Sequence, residues 1–285
     1  KFSLKDKTAI VTGGGSGIGK AISLTFAKQG AKVLILDFNK ESAEETVKEI
    51  RKENGFAEAY TCDVSNQKGV NAIIENITKK HTINILINNA GIAHVGNIEA
   101  VEETDLDRLY SVNIKGVYNC IKACIPALKA NNGGVILNLA SIASSVGIYD
   151  RFAYSMTKGA VLTMTYSIAK DYLTSNIRCN CISPGRIHTP FVDGFIKENY
   201  PDKKGWWNML YPADIDNDGD LDAFVVNHSG GPIAANRYYK NEFKGLPIEK
   251  FRSALEAELG IIVELYAYIA FINVILMYGM ETAFF

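Results

Sequence analysis

Short apolar runs alternate with longer helical patterns over roughly the first 200 residues, and nothing else in the chain constrains its fold as tightly. Residues 8–12 (Thr-Ala-Ile-Val-Thr) read as a buried strand, followed by a glycine cluster and a helical pattern from Lys20 to Gln29 that Gly30 ends. Residues 31–36 read as a second strand closed by Asp37, 41–53 as a polar amphipathic helix, 57–62 as a third strand, 70–80 as a helix and 83–87 as a fourth strand. The pattern continues with one long helical stretch over 105–130, which has Pro126 near its end. A strand over 134–139, a helix over 153–173 and a strand over 177–182 complete it. Strands separated by helices of this length imply β-α-β units, and right-handed crossovers between them predict an α/β fold with a doubly wound parallel sheet.

The regularity stops near Lys203–Gly205. Two regions are therefore expected, a regular α/β domain over 1–204 and an atypical extension over 205–285. Residues 205–245 are rich in Gly, Asn, Asp and aromatics, 248–259 suit an amphipathic helix, and 260–279 are almost wholly apolar. The net charge of −1, from 30 basic and 31 acidic residues, gives no basic surplus for nucleic acid. Five cysteines contain no C-x-x-C pair, which suits small buried hydrophobes in a reducing compartment better than a zinc knuckle or a redox dithiol. Lys1, Lys5 and Lys7 are not followed by an apolar signal core, so a cytoplasmic location is expected.

The turn after the first strand reads Thr12-Gly13-Gly14-Gly15-Ser16-Gly17-Ile18-Gly19. Glycines let a backbone approach a pyrophosphate, and a helix beginning there aims its amides and dipole at the phosphates. The strand–loop–helix context is what gives this pattern its meaning. Asp37, at the end of the second strand, can accept hydrogen bonds from adenosine ribose hydroxyls and would repel a 2′-phosphate. Ser16 and Phe38 supply no positive charge beside it, so NAD is the expected cofactor.

Tyr154 and Lys158 stand four apart, on one face of a predicted helix. A phenol titrates near 10, but an adjacent ammonium favours the phenolate, and such a pair can move a proton to or from a carbinol oxygen while a nicotinamide moves hydride.

Together these motifs resemble the classical short-chain dehydrogenase/reductase family over about residues 4–200. Its T-G-x-x-x-G-x-G loop is matched by Thr12–Gly19 and its acidic residue after the second strand by Asp37. The adenine-holding Asp matches Asp63-Val64, and its N-N-A-G motif is Asn88-Asn89-Ala90-Gly91. Asn113 lies at the spacing of the tetrad Asn, and Ser141 lies thirteen residues before Tyr154. The P-G-x-x-x-T segment that cradles nicotinamide is matched by Pro184, Gly185 and Thr189. The resemblance implies a Rossmann-type fold and a tetrad of Asn113, Ser141, Tyr154 and Lys158. Tyr154 is then the acid/base, and Lys158 lowers its pKa and holds the nicotinamide ribose. Ser141 bonds the substrate oxygen, and Asn113 positions a water that relays protons to Lys158. It further implies NAD contacts from Gly13, Ser16, Gly17, Ile18, Gly19, Asp37, Asp63, Val64, Asn89, Ala90 and Gly91, besides Tyr154, Lys158, Pro184, Gly185 and Thr189. A homodimer or homotetramer is expected, built through the helices over 105–130 and 153–173.

The resemblance ends with the alternating pattern. Asp214, Asp216, Asp218, Asp220 and Asp222 surround Gly219 in a loop similar to those of calcium-binding β-propeller repeats, but position twelve is Val225 rather than the Glu of an EF-hand. One repeat cannot bury its own face, so no resident metal is expected. Residues 260–279 are long enough to span a bilayer, yet Glu264 and Asn273 interrupt them, and a membrane span is not expected. The leading expectation is an NAD-dependent dehydrogenase of a sugar, polyol or sugar acid, with a 3-oxoacyl or steroid substrate as the alternative. The alternative of another class is a non-catalytic calcium-binding or membrane-tethered module on a dehydrogenase scaffold.

Overall fold

The computed structural model describes residues 3–185, 187, 209–213, 222–226 and 237–239, the last three segments as backbone only. Two compact units divide the chain, Lys1–Asn199 and Tyr200–Phe285.

In the first unit, six strands run in the order β1 (Thr8–Thr12), β2 (Lys32–Asp37), β3 (Phe56–Thr61), β4 (Ile85–Asn88), β5 (Gly134–Leu139) and β6 (Ile177–Ile182). They form one parallel sheet with spatial order β3-β2-β1-β4-β5-β6. Side chains alternate across it with the period of two that a strand imposes. Ile10, Leu34 and Leu36 enter an apolar cluster on one face, and Ala9, Val11, Val33 and Ile35 enter another on the opposite face. The second face is covered by α1 (Gly17–Lys28) and α2 (Lys40–Lys52), which brings in Ala43, Val47 and Ile50. The first face is covered by α3 (Gln67–Thr78), α5 (Gly116–Ala130) and α6 (Phe152–Asp171), with Val70, Ile74, Ile121, Leu128 and Val161. A central strand buried on both faces must be apolar throughout, and every residue of β1 is buried. The order reverses between β1 and β4, so the loops at their carboxyl ends part and leave the crevice in which such sheets take ligands.

Two elements depart from the pattern read in the sequence. α1 begins at Gly17 rather than Lys20, because Ser16 adopts the extended conformation of an N-cap and the helix grows out of the glycine cluster itself. The long helix expected over 105–130 is divided: α4 (Glu103–Leu109) passes into a π-helical turn, Tyr110–Lys115, before α5 begins. The wider turn coincides with Asn113, whose side chain is bonded across to another segment. Periodicity alone does not register one inserted residue.

The described part of the second unit is a three-stranded antiparallel sheet of β7 (Met209–Ala213), β8 (Asp222–Val226) and β9 (Arg237–Tyr239), with β8 in the middle. Most of the aspartate-rich loop joins β7 to β8 and lies outside the described residues, as do Thr189 and the apolar stretch 260–279. Among the described residues, no helix is long and apolar enough to cross a membrane and no cluster of His, Cys, Asp and Glu could hold a metal.

Candidate active site

The crevice is built first from the glycine loop. Gly13 lies at φ +62°, and a Cβ on Gly19 would come within 2.0 Å of the Gly13 carbonyl oxygen, so these positions require glycine. Thr12 ties the loop to the end of β4: its hydroxyl accepts from the Asn89 and Ala90 amides, each at 3.0 Å. Asn89 returns the grip, its Nδ2 donating to the carbonyls of Thr12 (3.1 Å) and Gly13 (3.0 Å). Both of its side-chain hydrogens are thereby spent on shaping the loop.

The helices behind this loop are capped unequally. Asn39 caps α2 by accepting from the Ser42 amide, and Asn66 caps α3 by accepting from the Gly69 amide. Ser16, at the N-cap of α1, makes no side-chain capping bond, and the first turn of α1 carries no acidic residue. The helix that faces the crevice thus keeps its amides and positive dipole end for an anion, which fits a pyrophosphate. Asp37 ends β2 beside it and does not cap α2, since Asn39 holds that position. The carboxylate of Asp37 accepts from the Gly15 amide through Oδ2 and from the Asn39 amide through Oδ1, both at 2.9 Å. Each carboxylate oxygen has a second acceptor site left for a ribose hydroxyl. Asp63 turns the chain after β3 by accepting from both the amide and the hydroxyl of Ser65. Val64 is 7% exposed and packs into the core, where it meets Gly116.

Three of the four expected catalytic side chains gather at the carboxyl ends of β4 and β5. Ser141 opens a short 3-10 turn after β5, and its hydroxyl accepts from the Ala143 amide. Tyr154 of α6 comes near enough for the Ser141 hydroxyl to favour its phenolate. Lys158, one turn further along α6, is 6% exposed and donates to the Leu139 carbonyl at 2.7 Å. Gly91 closes the group from the β4 side: a Cβ there would stand 3.5 Å from the Lys158 Nζ and 3.3 Å from Asn113 Oδ1. The Pro184 carbonyl accepts from the Ile142 amide, which sets the segment after β6, including Gly185, beside Ser141.

Burial pushes the Tyr154 phenol above its ordinary value; the neighbouring Ser141 hydroxyl and the positive charge of Arg151 oppose this without overcoming it. The Lys158 ammonium donates to the Leu139 carbonyl and stands 5.8 Å from the Tyr154 ring centre, and burial pulls it down to about 8. Asn113 is 1% exposed. Its Oδ1 accepts from the Ile92 amide, and its Nδ2 donates to the Ile92 carbonyl and to Thr157. These bonds pin the segment after Gly91 against α6, and Oδ1 keeps a second acceptor site.

Several contributors were not singled out by sequence reasoning. Thr157 lies inside the Tyr-Ser-Met-Thr-Lys run and joins the Tyr154 carbonyl to Asn113. Below the site, Asn88, the first residue of the N-N-A-G motif, donates to Asn138 across β4 and β5, and Asn138, which sequence reasoning did not single out, donates to Thr165 of α6. A lone asparagine in an otherwise apolar strand was the available signal, since a buried amide needs partners.

A glycine loop at an uncapped helix, at the switch point of this sheet and beside a Ser–Tyr–Lys cluster, defines a dinucleotide-dependent oxidoreductase. The short chain dehydrogenase family profile matches residues 7–199, and the chain belongs to that family. The uncharacterized oxidoreductase YxbG of Bacillus subtilis is 42% identical over 192 residues, which cover 67% of this chain and 70% of that protein. The crystal structure of 3-ketoacyl-(acyl-carrier-protein) reductase from Brucella melitensis complexed with NADH has TM-score 0.65 and 37% identity, over 68% of this chain and 82% of that one. A Beutenbergia cavernae structure, provisionally assigned as an NAD(P) dependent gluconate 5-dehydrogenase and holding NADP at low occupancy, has TM-score 0.66 and 29% identity. It matches over 69% of this chain and 79% of that one.

Proposed function

We propose that the chain interconverts a secondary alcohol and a ketone with NAD as cofactor and Tyr154 as the acid/base. The observation that carries the reading is the meeting of buried Ser141 and Lys158 with the partly exposed Tyr154 at the mouth of the dinucleotide crevice. When bound, the nicotinamide supplies or accepts hydride. Tyr154 gives its phenolic proton to the forming alkoxide in reduction and takes it back in oxidation. Ser141 holds the same oxygen and orients the phenol. Lys158 holds the nicotinamide ribose by exchanging its Leu139 bond for ribose hydroxyls. Asn113 positions the water that connects Lys158 to solvent. Gly13, Ser16, Gly17, Ile18 and Gly19 cradle the pyrophosphate, Asp37 takes the adenosine ribose, and Asp63 and Val64 flank the adenine. Asn89, Ala90, Gly91, Pro184 and Gly185 frame the nicotinamide side, and Thr189, expected from the sequence to join them, lies outside the described residues.

The preference for NAD rests on Asp37, whose carboxylate fills the place that a 2′-phosphate would need. NADH is expected to bind at least about tenfold more tightly than NADPH, the size of one like-charge clash in a half-buried site. Titration of both by nicotinamide fluorescence checks this, and equal or tighter binding of NADPH would remove the NAD assignment. Asp37→Ala should narrow the gap.

For substrate, we favour a sugar, polyol or sugar acid, as the likeness to the gluconate enzyme supports. A 3-oxoacyl thioester is a second reading, favoured by the higher identity to the Brucella reductase. Rates with a panel of polyols, aldonic acids and 3-oxoacyl thioesters separate the two. The assembly proposed is a homodimer or homotetramer through α5 and α6, whose exposed Tyr118, Met156 and Tyr166 offer apolar area for a partner. Light scattering at micromolar concentration should give at least twice the chain mass, and a monomer would overturn this.

A further inference from the structure

Asp37 does not hold its position alone. Its Oδ2 accepts from the Gly15 amide at 2.9 Å, so the direction of that carboxylate depends on how residue 15 is oriented. Gly15 is gripped on its other side as well: its carbonyl accepts from the hydroxyl of Thr46 at 3.2 Å. Thr46 lies on the second turn of α2, is wholly buried, and shares the same hydroxyl with the Ser42 carbonyl at 3.1 Å. The fit around Gly15 is close. A Cβ added there would stand 2.9 Å from both the Ala43 amide nitrogen and the Ser42 carbonyl carbon, and 3.0 Å from Asp37 Oδ2. Residue 15 is thus wedged between the carboxylate that meets the ribose and the first turn of α2, with Thr46 fastening its carbonyl. A buried Thr hydroxyl on the inner face of a helix ordinarily bonds its own helix at i−4. This one also reaches across to the loop, thirty-one residues earlier in the chain.

We infer that Thr46 is a positioning residue for cofactor discrimination: it fixes Gly15, Gly15 fixes the Asp37 carboxylate, and the carboxylate selects the ribose that bears no phosphate. The inference rests on the reading that Asp37 meets the adenosine ribose. Thr46 itself, buried under the loop, touches no cofactor. Without the Thr46 hydroxyl, the Gly15 carbonyl loses its side-chain donor, the Gly15 amide is aimed at Asp37 less firmly, and the carboxylate, still tethered at Oδ1 by the Asn39 amide, holds Oδ2 less well in place. NADH then loses an oriented acceptor, and NADPH loses part of the repulsion against it.

The test is a set of dissociation constants for NADH and NADPH on the full chain, read by nicotinamide fluorescence, together with the urea midpoint of each variant. Thr46→Val keeps the shape and removes the hydroxyl. It is expected to narrow the NADH/NADPH ratio about fivefold, the size of one net hydrogen bond, chiefly by weakening NADH. Thr46→Ser keeps the donor and should retain the wild-type ratio. Gly15→Ala, which sets a methyl against Asp37 Oδ2, should narrow the ratio in the same direction and reads the link from its other end should the valine variant not fold. A wild-type protein that prefers NADH, with Thr46→Val lowering the urea midpoint but leaving the ratio unchanged, would reduce Thr46 to a packing residue and overturn the inference alone. A wild-type protein that does not prefer NADH would overturn the Asp37 reading, and this inference would fall with it.

Discussion

Tyr154→Phe is expected to lower kcat by about 10²–10⁴-fold, the range that a positioned proton carrier contributes, while NADH binding stays within about twofold of wild type. The phenyl ring keeps the packing of a partly buried side chain, and only the hydroxyl beside Ser141 is lost. Retention of more than a tenth of the wild-type kcat would show that another group moves the proton. Lys158→Met should lose both turnover and NADH affinity, because the same ammonium that sits under Tyr154 is the one placed to grip the ribose. Its stability effect has the opposite sign. A lysine whose folded pKa, about 8, lies below its ordinary 10.5 carries a burial cost that is fully present below about pH 8 and is relieved as pH rises toward 10.5. The methionine variant should therefore be no less stable than wild type at pH 7, by urea unfolding, despite being inactive.

The pH dependence of reduction follows from the same two groups. Burial pushes the phenol up, so Tyr154 stays protonated, and able to donate, through neutral pH. The first charge lost on raising pH is that of Lys158, near 8 in the free protein. Cofactor affinity, rather than the chemical step, is therefore expected to weaken first as the solution turns alkaline, a pattern visible in kcat/KM before kcat.

Much of this molecule was legible because its determinants are local. The strand β1 is five apolar or small residues bounded by a glycine turn, and only a strand buried on both faces accommodates that run. Tyr154 and Lys158 share a helix face by spacing alone. Asp37 could be placed because a strand must end before the loop that follows it. What the pattern did not carry were contacts between distant segments. Asn113 bonds Ile92 and Thr157 through its side chain, and no periodicity signals a bond across that separation. The π turn at the same residue has the same origin, since its cause lies in what the side chain reaches rather than in the helix's own sequence. The Tyr154 phenol was expected to fall because an ammonium lies one turn away. Burial pushes it up instead, and nothing near Tyr154 in the sequence encodes that burial. Thr46, an unremarked polar residue in an amphipathic helix, gains its meaning only from the loop above it.

Gly19→Ala is expected to have the largest effect of any single methyl in the protein. Its Cβ would lie 2.0 Å from the Gly13 carbonyl oxygen, 2.8 Å from the Gly13 carbonyl carbon and 2.4 Å from Asn89 Nδ2. The first two are backbone atoms of the loop that turns from β1 into α1, so no side-chain rotation relieves them. The only escape is for the loop to move off the helix, and that breaks the Asn89–Gly13 bond and pulls Thr12 away from β4. Overpacking of this kind typically costs about 1–3 kcal/mol, and a clash with backbone belongs at the upper end or beyond. Cofactor binding should suffer more than stability, since the displaced segment is the one that faces the pyrophosphate: NADH affinity should fall at least about 100-fold, or about 3 kcal/mol. Gly69→Ala is the matched control. It too lies in the first turn of a helix, α3, but its Cβ would meet only the Asn66 side chain at 3.4–3.7 Å, an ordinary contact. That variant should bind NADH like wild type and be as stable or slightly more so, because alanine restricts the unfolded chain more than glycine does. Fluorescence titration and urea unfolding of the pair measure both effects. A Gly19→Ala protein that binds NADH within tenfold of wild type would mean that the loop yields without cost, and that the close approach of Gly19 to Gly13 is not what shapes the crevice.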